Sequence, residues 1–128
     1  MQIERIVRKI LDSEAEAIKA VSIDDSYNVA IDFMNKCEGK IITTGMGKAG
    51  FVAHKFAAIL SSTATPAVFI HPAEAAHGDL GMLAPGDCIV AFSTSGKTRE
   101  VLEFIQLSRR MDIGCLLYTS PSPRDSDS

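Results

Sequence analysis

Three short apolar runs, each closed by a glycine- or proline-containing turn and separated by amphipathic stretches, constrain this chain more than any other feature. Lys40 to Thr44 reads as a buried strand, and Gly45-Met-Gly-Lys-Ala-Gly50 as a turn into a helix carrying Phe51, Val52, Phe56, Ile59 and Leu60. Ala67 to Ile70 is a second strand, bracketed by Pro66 and Pro72. Ala73 to Leu83 is a small helical or looped segment, and Ala84-Pro-Gly-Asp87 supplies turn chemistry before a third strand, Cys88 to Phe92. From Thr98 to Asp112, Val101, Leu102, Ile105 and Met111 mark a one-sided helix. Strand, helix, strand, crossover, strand, helix is the order of an α/β fold, a doubly wound parallel sheet flanked by helices. Ligands of such sheets bind beyond the carboxyl ends of the strands, where the loops at residues 45 and 93 lie.

Two helices precede the sheet. Ile3, Ile6, Val7, Ile10, Leu11, Ala15, Ile18 and Val21 recur at helical spacing. Asp24, Asp25 or Ser26 can cap a second helix that turns Ala30, Ile31 and Met34 inward and stops near Glu38-Gly39. A length of 128 residues suits one domain, and 46% hydrophobic with 23% charged residues places it among soluble globular proteins. The net charge of −3 offers no basic surface for nucleic acid or an anionic membrane, so neither is an expected partner. Apolar runs fall well short of the ~20 residues that span a bilayer, and Met-Gln-Ile-Glu-Arg has no signal-peptide form, so the expected location is the cytoplasm. Cys37, Cys88 and Cys115 lack paired metal spacing and suggest no disulfide framework, and Cys88 reads as a small core residue.

The segment that most invites chemistry is Val90 to Glu100. It joins a strand to a helix through Ser93, Thr94, Ser95, Gly96 and Thr98, and the helix start offers unpaired N–H groups and a positive dipole end. Such a junction suits a phosphate. Two nucleotide readings compete. Gly45-x-Gly47-x-x-Gly50 matches the dinucleotide fingerprint, but the acid expected after the next strand is missing, since that strand ends Phe69-Ile-His-Pro72. Ala91-x-x-x-x-Gly96-Lys97-Thr98 is a relaxed Walker A loop, without a magnesium-binding acid on another strand.

Taken together, Ser93 to Thr98, Gly45 to Gly50 and His71-Pro-Ala-Glu-Ala-Ala-His-Gly-Asp-Leu-Gly81 resemble the sugar isomerase (SIS) domain family, most closely its arabinose 5-phosphate isomerase branch. The resemblance covers roughly Ile3 to Gly114. It implies a sheet of about five parallel strands, a homo-oligomer with shared sites, and interconversion of D-arabinose 5-phosphate and D-ribulose 5-phosphate. That reaction moves a proton between neighbouring carbons through an enediol after ring opening. It needs a base, a charge stabiliser and a phosphate anchor, with no redox cofactor and no metal.

By motif position the resemblance implies that Ser93, Ser95 and Thr98 hold the phosphate, with Thr94 and Gly47 in the same loops. Lys48 would contact substrate oxygens, against the bland reading of a surface lysine at a helix start. Glu100 aligns with a family glutamate proposed in proton transfer, and equally suits a helix-start acid. His77 matches an active-site histidine. His71 is either catalytic or structural at the strand end, and Glu74 either orients Lys48 or His77 or solvates a loop. His54 reads as a surface or packing residue, and Asp79 as a turn or cap residue. Lys97 departs from the family pattern, which carries an acid there. The family's remaining catalytic glutamate and histidine, and the CBS pair often attached, belong to a C-terminal half beyond this chain.

After Gly114 the composition changes to a Pro/Ser/Asp-rich string without core-forming period, and Cys115 to Asp125 resembles the translation of a transposase adapter used in sequencing libraries. Residues 1–114 are therefore expected to be the N-terminal part of a SIS domain truncated before its last strands, and 115–128 a non-native or disordered tail. Cys-Leu-Leu-Tyr-Thr119 could still be drawn as a strand. The alternative function is a non-catalytic sugar-phosphate-binding regulatory module on the same fold.

Overall fold

The computed structural model describes residues 1–76, 79–94 and 99–119, without the side chains of Ala76, Asp79 and Leu80. The chain divides into two compact units, Met1–Ile31 and Asp32–Ser128. In the first, helix α1 spans Gln2–Lys19 and helix α2, Ser26–Asn35, begins. The Asp24 carboxylate accepts a hydrogen bond from the Ser26 N–H at 2.9 Å, as a capping acid should. No residue of α1 is buried, and Ile3, Ile6, Val7, Ile10, Leu11 and Ile18 are all exposed. Ile31, expected to face inward, is 51% exposed. Among the described residues no helix is long and apolar enough to cross a membrane.

The second unit is an α/β layer structure. Strands β1 (Ile41–Gly45), β2 (Ala67–Phe69), β3 (Cys88–Ser93) and β4 (Gly114–Thr119) form one parallel sheet in the order β2-β1-β3-β4. Helix α3 (Gly47–Ser62) links β1 to β2; α4 (Pro72–Ala76) and a 3-10 turn (Asp79–Met82) lead to β3; α5 (Arg99–Arg110) leads to β4. β4 is the Cys-Leu-Leu-Tyr-Thr run, and none of its residues is buried.

Side chains alternate across the sheet, so register decides which layer each joins. Ile41 pairs with Cys88 and Ile42 with Ile89. Ile41, Cys88 and Val90 point to one face, under Phe33 and Met34 of α2 and Phe56 and Leu60 of α3. Ile42, Ile89 and Ala91 point to the other, against Val101, Phe104 and Ile105 of α5 and Ala75 of α4. Burying each of Ile42, Ile89, Val101 and Phe104 stabilises the fold by roughly 1.5–3 kcal/mol. Two-sided coverage explains why β1 is buried at every position.

The large apolar residues that mark α3 in the sequence are not those it buries. Phe51 is 78% exposed and Val52 and Ile59 are exposed, whereas Gly50, Ala53 and Ala57 are buried. The cause is close approach: a Cβ added at Gly50 would lie 2.7 Å from the Gly45 carbonyl oxygen. Small residues let the helix axis approach the sheet, Phe56 and Leu60 pack beside them half-buried, and Phe51, Val52 and Ile59 fall outside the contact.

Candidate active site

β1 runs through α3 to β2 on one side, whereas β3 lies on its other side, so the chain's winding reverses between β1 and β3. A crevice at the carboxyl ends of the strands is expected where winding reverses. Gly45, the last residue of β1, is the register partner of Phe92, one residue before the end of β3. The loops that begin at Met46 and Thr94 are therefore neighbours, although remote in sequence.

Local chemistry shapes the first loop. Gly47 has φ +58°, in the left-handed region that glycine enters without penalty. A Cβ at Gly45 would lie 2.9 Å from the Phe92 carbonyl oxygen, so that glycine lets the turn press against β3. Met46 caps α3 without a side-chain hydrogen bond, leaving the orphan N–H groups of the first turn to other acceptors. Lys48 lies in that turn and is exposed.

Lys48, Val52, Phe92, Ser93, Thr94 and Tyr118 line a cleft of about 320 Å³. Lys48 and the hydroxyl residues Ser93 and Thr94 thus line one space together with the aromatic residues Phe92 and Tyr118. Phe92 meets Phe56 edge-on at 5.7 Å between centroids and lies tilted against Tyr118 at 5.8 Å. Ser93 is buried and Thr94 exposed.

A second cavity of about 260 Å³ lies across the β1–α3 turn, lined by Gly47, Phe51, His54, Phe69 and His71 among others. His54 stacks on Phe69 at 4.6 Å, and Phe69 meets His71 edge-on at 6.5 Å. Nδ1 of His71 accepts a hydrogen bond from the Ala73 N–H at 3.2 Å, an N-cap contact at the start of α4. Thr44 Oγ1, fully buried, donates to the Ile70 carbonyl at 2.6 Å and holds this strand end against β1.

Of the residues expected at the site, the structure brings Lys48, Ser93 and Thr94 together and sets Gly47 and His71 in the adjoining cavity. Glu74 is exposed on α4, and Glu100 is half-buried in the first turn of α5. His77, Ser95 and Thr98 lie outside the described residues, as does Lys97. Sequence reasoning missed Thr44 and Phe92. A threonine pair inside an apolar run was the available signal for Thr44, because a buried hydroxyl must find a carbonyl. Among the described residues no group of three or more His, Cys, Asp or Glu side chains is arranged to hold a metal ion. The glycines of the dinucleotide fingerprint are each used by turn geometry or packing.

Comparison with known families decides what this architecture is. The SIS domain model matches residues 34–123. The chain belongs to the SIS domain family. This SIS domain is 38% identical over 121 residues to arabinose 5-phosphate isomerase of Yersinia pestis, covering 93% of this chain and 37% of that protein. It therefore spans little more than a third of that relative's length. It superposes with a TM-score of 0.84 on a candidate phosphosugar isomerase involved in capsule formation from Bacteroides fragilis, at 39% identity, over 100% of this chain and 70% of that one. An Escherichia coli CFT073 protein solved in complex with arabinose 5-phosphate gives the same TM-score at 33% identity, over 98% of this SIS domain and 67% of that chain.

Proposed function

We propose that this chain belongs to an aldose–ketose isomerase that interconverts D-arabinose 5-phosphate and D-ribulose 5-phosphate. The observation that carries the proposal is the cleft lined by Lys48, Ser93 and Thr94 at the carboxyl ends of β1 and β3. The Yersinia pestis relative, named an arabinose 5-phosphate isomerase, and the arabinose 5-phosphate complex of the Escherichia coli protein support the choice of sugar. In the proposed reaction Ser93 and Thr94, with Ser95 and Thr98, anchor the phosphate. Glu100 removes the proton from C2 of the open-chain aldose and returns it to C1. The Lys48 ammonium offsets the negative charge that develops on the enediolate oxygens, where a preorganised cation contributes most. His77 and His71 contact the sugar hydroxyls, and Glu74 orients Lys48 or His77.

α1 supports a homo-oligomeric reading, because its apolar face finds no cover among the described residues. The chain of residues 1–128 alone is expected to turn over little substrate, since among the described residues β4 has no strand on its outer side.

The deciding experiment is a coupled assay of ribulose 5-phosphate formation by the full-length protein. Conversion is expected, and absence of conversion with any pentose or hexose phosphate overturns the proposal. Lys48→Ala should lower kcat/KM by about 10²–10³-fold at an unchanged Tm. Glu100→Gln should retain sugar-phosphate binding while losing turnover. A wild-type protein that binds the sugar phosphate but never turns it over would establish the regulatory module instead.

A further inference from the structure

Three thiols lie near the amino-terminal edge of the sheet, at the end opposite the cleft, and the alternation of side chains sorts them. Cys88 opens β3 and points to the α2/α3 face with Ile41 and Val90, where Cys37 packs against the same cluster. Cys115 pairs in register with Ile89 and packs against the opposite layer. The sheet separates Cys115 from the other two. Cys37 and Cys88 instead converge on one backbone group: Cys37 Sγ lies 3.4 Å from the Lys40 carbonyl oxygen, which also accepts the Cys88 N–H at 3.2 Å. Cys37 Sγ is 3.5 Å from the carbonyls of Gly39 and Gly86, so it is held against the turn that feeds Cys88 into β3. Cys37 packs against the cluster that holds Cys88, and burial first, then the neighbouring Cys37 thiol, push the Cys88 thiol far above its ordinary range. Cys37 is half-buried whereas Cys88 is buried, so of the two thiols Cys37 is the one open to solvent.

We propose that Cys37 and Cys88 form a reversible oxidation site in which a hydroperoxide converts the pair to a disulfide. Cys37 sulfur attacks the peroxide oxygen, the O–O bond breaks, and the products are a Cys37 sulfenic acid and an alcohol or water. Cys88 sulfur then attacks the Cys37 sulfur. The S–O bond breaks, the hydroxyl leaves with the Cys88 proton as water, and both sulfurs end one electron oxidised. Burial keeps Cys88 away from peroxide in solution, so its sulfur reacts only with the oxidised Cys37 beside it. The cross-link ties the end of α2 to the start of β3 and lies away from the cleft, so it raises stability and leaves ligand binding unchanged.

The test is peptide mapping of the full-length protein, folded and unheated, after stoichiometric hydrogen peroxide. A Cys37–Cys88 linked peptide, two hydrogens lighter than the reduced pair and lost on thiol reduction, is expected while Cys115 remains alkylatable. Cys88→Ser should leave a Cys37 sulfenic acid that a 1,3-dione traps, and Cys37→Ser should leave Cys88 unmodified. Oxidised wild-type protein should melt several degrees higher than reduced protein, a shift that both variants lose. Failure to oxidise, linkage of Cys37 to Cys115, over-oxidation of Cys37 with Cys88 still alkylatable, or linkage only in denaturant would each overturn the proposal.

Discussion

Asp87 ends the turn before β3, and its side chain is only 3% exposed. Its carboxylate accepts the Lys40 ammonium at 2.6 Å and the backbone N–H groups of Lys40 at 2.9 Å and Ala84 at 2.8 Å. Burial by itself raises its pKa, but the hydrogen bonds from Lys40 and Ala84 and the Lys40 charge outweigh burial and hold it below the ordinary 3.8. Between the two values the unfolded chain binds more protons than the folded one. This contribution is complete above about pH 4 and fades as pH falls through the folded-state pKa. Acid titration of the midpoint in denaturant should show that loss in wild type and not in Asp87→Ala. At neutral pH Asp87→Ala should cost about 1–3 kcal/mol, because two part-buried hydrogen bonds from N–H groups and the Lys40 ion pair are lost. Thr44→Val should cost about 1–2 kcal/mol through the orphaned Ile70 carbonyl, read from equilibrium unfolding. In the sequence Asp87 was legible only as turn chemistry and Thr44 only as strand. Their partners come from other strands and loops, which no local pattern specifies.

At the scale of elements, α3 shows where sequence reading succeeds and where it stops. Its start at the Gly45–Gly50 turn and its span were readable from glycines and apolar spacing. Its buried face was not, because hydrophobic periodicity weighs size, whereas approach to β1 selects Gly50, Ala53 and Ala57. Thr43 strengthens that choice by donating to the Ala53 carbonyl at 2.7 Å. Gly50→Ala should therefore cost about 1–3 kcal/mol, as the backbone oxygen of Gly45 cannot yield as a flexible side chain would. Phe51→Ser, on the exposed side of the same helix, should leave Tm within about a degree. Thermal melts of the pair separate close packing from hydrophobicity.

For the whole molecule, the strand–helix order predicted a parallel sheet flanked by helices, and that is the observed architecture. The neighbour relation of β1 and β3 was not readable, because strand order depends on crossovers rather than on residues within either strand. Nor did α1's amphipathic pattern say what its apolar stripe covers. If a second copy covers it, replacing Ile6 and Ile10 by Gln should shift full-length protein to a smaller species in sedimentation, without loss of helix content. The β1–β3 pairing also orders events in time. Until those two strands zip together, Lys48 and Ser93 belong to separate, distant parts of the chain. Non-local parallel pairing of this kind is slow, since chain closure must precede any stabilising contact. During refolding, affinity for a phosphate should consequently emerge with the sheet in one late phase, after the helices have already formed.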